Sequence, residues 1–283
     1  MKEIPDIHIK IMPREKWLDF KLREVWNYRE LILLLARTNF VMSYQQTALG
    51  PIWIIIQPVL STMLYLFVFG YIARIDTGDT PQVLFYLVST SVWGIFSGSL
   101  MGNANVFQQN VHLFTKVYFP RLTVPLGNML VSLWRFAVQM VIVAVVMATC
   151  IHDGAVHPQW EYCAMLPLLF LQLAFFGMSM GILFSALNGK YRDISMLVPS
   201  IVNVWMYASA VLYPVAVLPD GALKGLIMLN PLTEVMEMMR LILFGAGHFD
   251  LFYWLLGLLI SLVVFGGSTL LFNKIERNFA DTI

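Results

Sequence analysis

The chain has 283 residues, of which 59% are hydrophobic and 12% charged, with a formal net charge of +1. Its mean hydropathy is +0.72, and its charge content is about half that of an ordinary soluble domain, too little to cover a water-facing surface. A soluble enzyme and a disordered chain are excluded, the near-neutral charge gives no nucleic-acid surface, and the chain reads as an all-α integral membrane protein.

Residues 1–37 are dense in charge and lack the apolar core of a signal peptide. They read as a cytoplasmic segment ahead of a transmembrane domain over residues 38–283. From Arg14 to Arg37, charges alternate with Leu18, Leu22, Val25, Trp26 and Leu33, whose steps of three and four make one helical stripe. Such a helix lies in the membrane interface, either as an anchor alone or also as a prop for a partner.

A bilayer span needs about 20 apolar residues, and charge-poor runs supply six, at residues 53–73, 81–104, 122–151, 162–188, 194–217 and 251–273. Residues 218–250 are apolar but broken by Asp220-Gly221, Asn230-Pro231 and Gly245-Ala246-Gly247. They read as two re-entrant half-helices, a form of backbone tolerated only inside protein or beside a water-filled cavity; an ordinary external loop is the other reading. Fourteen of the 18 Lys and Arg fall on the side of both termini, against Arg74, Lys224 and Arg240 on the other. Both termini are therefore expected in the cytoplasm.

Pro58 should kink the first span. Gln57, Ser61 and Tyr65 form a weakly polar stripe along it, and Ser200, Asn203 and Tyr207 form another on the fifth. Each stripe either glues helices together or lines a water-filled path, and rings with scattered hydroxyls and amides suit a sugar chain. Arg135 is the single charge inside a span; it either snorkels to the interface or faces a cavity or partner. No span contains an acidic residue, which argues against an ion-coupled carrier. Cys150 and Cys163 match no metal spacing and are expected as free thiols. The loops N-V-H-L-F-T-K-V-Y-F-P-R-L-T-V-P (110–125) and N-G-K-Y-R-D (188–193) hold no phosphate-cradling glycine loop, metal site or nucleophile–base pair. No catalytic, cofactor-binding or metal residue is expected, so energy must come from elsewhere.

Several stretches taken together resemble the ABC-2 type permeases that export bacterial polysaccharides. They are Leu49-Gly50-Pro51-Ile52-Trp53 with Pro58, Lys116-Val117-Tyr118-Phe119-Pro120-Arg121 with Pro125, Tyr191-Arg192-Asp193-Ile194, Tyr213-Pro214, Asn230-Pro231 with Arg240, and Glu276-Arg277-Asn278-Phe279-Ala280-Asp281. The ending looks most like the O-antigen branch. The resemblance implies a homodimer in the bacterial inner membrane, paired with two ATPase subunits that carry ATP and Mg. Its cargo would be a lipid-linked polysaccharide. Residues 15–37 would be the interface helix, and the first and fifth spans would line the conduit. The ATPase would dock on two loops, through Asn110, Lys116, Tyr118, Phe119, Pro120 and Arg121, and through Lys190, Tyr191, Arg192 and Asp193. Asn230, Pro231 and Arg240 would belong to an extracytoplasmic gate at residues 222–244. An ABC-2 exporter of a drug or lipid is the alternative, and a membrane-embedded glycosyl- or phosphotransferase a further one. The segment Ser43-Tyr44-Gln45-Gln46-Thr47 departs from the more basic stretch expected before the first span.

Overall fold

Apolar length decides which helices can cross a bilayer. The computed structural model describes residues 22–280 apart from Gln46, Asp79, Tyr118 and Arg192. Among them there is no strand, and five helices are long and apolar enough to span: Gly50–Ile72, Gln82–Asn103, Thr123–His152, Trp160–Gly189 and Leu251–Leu271. The chain is thus a multi-pass helical membrane protein. In order, α1 (Leu22–Asn27) and α2 (Arg29–Met42) precede α3 (Trp53–Tyr65), which continues through Pro58 and widens into a π-helix at Leu66–Ile72. Then come α4 (Gln82–Asn103), the short α5 (Val106–Gln109) and α6 (Val111–Lys116), and α7 (Thr123–His152). The chain ends with α8 (Leu166–Lys190), α9 (Ile194–Tyr207), α10 (Ala222–Met228), α11 (Pro231–Phe244) and α12 (Leu251–Ala280).

The fifth apolar run departs from a continuous helix over 194–217. It is helical for 14 residues and then turns through Ala208–Pro214. Fourteen residues rise about 21 Å, roughly 9 Å short of a 30 Å hydrocarbon layer. α10 and α11 follow as a helical hairpin. Pro231, at their junction, packs on Gly257 of α12, where an added Cβ would lie 3.1 Å from the Pro231 Cα. Gly257 is six residues into α12, so the hairpin tip sits about 9 Å below that helix's start. Residues 218–250 thus hold two short helices, α10 and α11, between the breaks seen in the sequence.

The amphipathic segment also divides its apolar residues differently from the single stripe. Val25 is buried, and Ile32, Leu35 and Ala36 lie against α7 at Gly127, whereas Trp26 and Leu33 face outward. Residues 15–21 of the expected interface helix lie outside the described residues.

α4 is the most enclosed of the long helices, packed between α7 and α8. Its close approach to α8 depends on Gly177 and Gly181, one turn apart on a shared face. A Cβ on Gly177 would lie 2.5 Å from the Phe96 carbonyl oxygen, and one on Gly181 2.6 Å from that of Leu100. Small residues at this spacing let helix backbones approach in lipid, where apolar burial no longer drives association. The Ser99 hydroxyl adds a hydrogen bond to the Ala174 carbonyl at 2.7 Å. Gly177→Ala is therefore expected to force the helices apart, at a cost of about 1–3 kcal/mol. In detergent it should lower the thermal midpoint, while Gly267→Ala, with open space at its Cβ position, should leave it unchanged.

Candidate functional site

Call the end bearing α10, α11 and the α7–α8 loop distal, and the opposite end proximal. At the distal end, the turn after α9 leaves backbone carbonyls without helical partners. Arg240 of α11 supplies them with donors. Its Nη2 donates to the carbonyls of Ala210 at 2.6 Å and Val211 at 3.1 Å and to the Ser89 hydroxyl at 3.2 Å. Nη1 donates to Glu237 Oε1 at 2.7 Å and to the Tyr213 carbonyl at 3.3 Å. The guanidinium lies over the Phe85 ring at 4.3 Å, a cation–π contact strengthened by exclusion of water. Glu237 uses the same oxygen to accept from the Val215 backbone N–H at 3.0 Å. Ala210 holds a left-handed φ of 49°, a strained conformation for a residue with a Cβ, kept in place by these contacts.

Asn230 caps α11, accepting from Leu232 N–H at 3.2 Å, and its amide donates to the Ala208 carbonyl at 3.0 Å and the Ser209 hydroxyl at 2.9 Å. Pro231 follows at the first helical position, where its missing N–H costs nothing. The structure therefore gathers Asn230, Pro231 and Arg240 on one hairpin locked to the end of α9. Arg240, read from sequence as a charge on the external side, is only 2% exposed and is turned toward α4. Beside it opens a cavity of about 970 Å³, bordered by Asp76, Lys224, His248 and Asp250. At its rim Lys224 pairs with Asp220 at 2.7 Å and holds that carboxyl below its usual range. The distal loop closes the arrangement, with His157 and Gln159 donating backbone N–H groups to Phe244 and Ile242 of α11.

The two polar stripes fall on the least enclosed elements. Gln57, Ser200, Asn203 and Tyr207 are exposed in the single chain, and Ser61 and Tyr65 are half-buried. Tyr65 Oη donates to Met206 Sδ at 3.7 Å, so α3 and α9 meet at the distal end of their stripes.

At the proximal end, α5 and α6 fold back on an aromatic cluster. Phe114 lies 5.8 Å from the buried Phe119 and 6.3 Å from Phe107, and Arg121 sits over the Phe114 ring at 5.6 Å. Asn110 starts α6, with its amide on the Val106 carbonyl at 2.9 Å. Lys116 is exposed and Pro120 buried. Lys190 ends α8, and Tyr191 and Asp193 lead exposed into α9; Tyr118 and Arg192 lie outside the described residues. A clasp not read from the sequence joins the two loops. Asn188 Nδ2 donates to the Ala104 carbonyl and to Asn105 Oδ1, both at 2.8 Å. Its own carbonyl accepts from Gln108 at 3.0 Å, and the Ser185 hydroxyl accepts from Phe107 N–H at 3.0 Å. Cys150 and Cys163 are free thiols.

The sequence profile of the ABC-2 type transporter family matches residues 30–244, from α2 through α11. The chain is similar to the "O-antigen export system permease protein RfbA" of Myxococcus xanthus, 24% identical over 265 residues that cover 93% of this chain and 98% of that protein. It is also similar to a protein of the same description from Klebsiella pneumoniae, 24% identical over 255 residues covering 90% of this chain and 95% of that protein. A second Klebsiella pneumoniae protein of that description is 23% identical over 257 residues.

Proposed function

We propose that this chain, which belongs to the ABC-2 type transporter family, is the membrane permease of an ATP-driven exporter moving a lipid-linked polysaccharide, O-antigen, out of the cytoplasm. The observation that carries the reading is the near full-length similarity to permeases described as O-antigen exporters. The geometry agrees with it. The open, weakly polar faces of α3 and α9 suit a conduit closed by a second copy of the chain. In this reading the proximal end lies in the cytoplasm, both termini with it, in the bacterial inner membrane.

Two ATPase subunits holding ATP and Mg would dock on the α5–α6 and α8–α9 loops. The exposed Lys116, Tyr191 and Asp193 offer contacts there, and the aromatic cluster gives the docked element a rigid seat. The distal hairpin with Asn230, Pro231 and Arg240 would close the exit. The loop sequences carry no glycine-rich phosphate-binding motif, and ATP hydrolysis would fall to the partner.

The purified permease alone is expected to hydrolyse no ATP above background. Co-purified with its ATPase subunit, it should support turnover that falls when Asp193 is reversed to Lys. Turnover by the permease alone, or full export with Asp193→Lys, would count against this division of labour.

A further inference from the structure

A second charged centre lies at the proximal end, apart from the conduit stripes. Arg135 of α7 borders a cavity of about 570 Å³ between α2, the end of α4, α5 and α7. Its Nη2 donates to the Ser43 hydroxyl at 2.9 Å, and Ser43 spends its own hydrogen on the Asn39 carbonyl at 2.7 Å. The guanidinium stacks 5.6 Å from the Tyr44 ring centre. Its Nε is buried and has no hydrogen-bond partner. Among the described residues no Asp or Glu pairs with Arg135. Amides and hydroxyls, Gln109, Asn110 and Ser132 among them, line the cavity beside Met42 and Val131.

Arg135 is half-buried and faces no carboxylate among the described residues, and the planar fork of an arginine fits the oxygens of a phosphate. Depth decides which phosphate. One turn along α7 from Arg135, Gln139 Nε2 donates to the carbonyl of Ile54 at 3.3 Å, in the first turn of α3. Arg135 therefore lies in the plane where the first span enters the bilayer. Beside it Val41, Met42, Leu49 and Ile52 are exposed apolar residues, placed to lie along acyl chains. Cationic pockets between helices at a cytoplasmic membrane surface take anionic headgroups.

We infer that the Arg135 cavity is a binding site for the phosphate headgroup of an anionic phospholipid in the proximal leaflet. Arg135 and Gln109 border the cavity and would donate to the phosphate oxygens, while Tyr44 and Ser43 hold the guanidinium plane. The site does not depend on the identity of the cargo, and it rests on the reading that the proximal end faces the cytoplasm. It also gives the uncharged segment before α3 a role: Ser43 and Tyr44 orient a charge carried by α7.

The test is a binding titration of the full-length purified protein in detergent with dioctanoyl phosphatidylglycerol, dioctanoyl phosphatidylcholine and inorganic phosphate as separate probes. Saturable binding of phosphatidylglycerol is expected, at least several-fold tighter than the zwitterionic lipid. Arg135→Gln should weaken it about tenfold, and Arg135→Lys, which keeps a point charge without the fork, should fall between the two. Gln109→Glu leaves the arginine in place and puts a carboxylate on the same cavity from an exposed position, so it should weaken lipid binding without disturbing the helices. Equal phosphatidylglycerol binding by wild type, Arg135→Gln and Gln109→Glu would overturn the site. Inorganic phosphate bound as tightly as phosphatidylglycerol would overturn the lipid assignment.

Discussion

Arg240→Ala should leave little folded protein. The substitution strands Glu237 as a buried charge, and breaking such a pair costs about 3–5 kcal/mol. It also removes the donors to the carbonyls of Ala210, Val211 and Tyr213. Against a total stability of about 5–15 kcal/mol, that loss is large. The measurement is the monodisperse fraction on size-exclusion chromatography together with the thermal midpoint. Arg240→Lys should be intermediate, since one ammonium cannot reach every acceptor that the fork does. Wild-type melting of Arg240→Ala would show that the turn after α9 is held by something else.

Asn188→Leu should separate ATP turnover from export. Two donor bonds join the end of α8 to the elbow between α4 and α5, and this places the two proposed docking loops on one rigid unit. Leucine has a similar volume but no donor, so the buried Ala104 carbonyl is left unpaired at a cost of about 1–3 kcal/mol. A pushed loop would then yield at the elbow instead of moving the spans. In the complex with its ATPase, hydrolysis is expected to persist while export per ATP falls about tenfold, the equivalent of 1.4 kcal/mol lost from the coupling. A matched fall in hydrolysis and export would indicate lost assembly, and unchanged export would remove Asn188 from the coupling path.

The five long spans were legible because apolar length is a local property, and α10 and α11 because Asp220-Gly221 and Asn230-Pro231 interrupt it. The end of α9 was not. Residues Ala208 to Tyr213 are nearly as apolar as a helix interior, and what turns them is Arg240, roughly thirty residues further along the chain. The local trace of that pairing was Glu237 three residues before Arg240, on one helical face. Charge counting assigned Arg240 to the side opposite the termini but gave no view of its buried partners. On α2, periodicity marked Trp26 and Leu33 as apolar but could not separate a face turned to protein from one turned outward. Asn188 stood in view at the head of a short loop, yet its role depends on Ala104 and Asn105, brought to it by the α4–α8 crossing.

The central claim is that this chain carries a lipid-linked polysaccharide across the inner membrane. The direct measurement is antibody labelling of the polymer on intact and on permeabilised cells of a strain lacking the gene, complemented with wild type or with Asn188→Leu. The account predicts that the null strain makes polymer seen only after permeabilisation, that wild type restores surface label, and that Asn188→Leu restores little. Undiminished surface polymer in the null strain, or no polymer in either compartment, would contradict it.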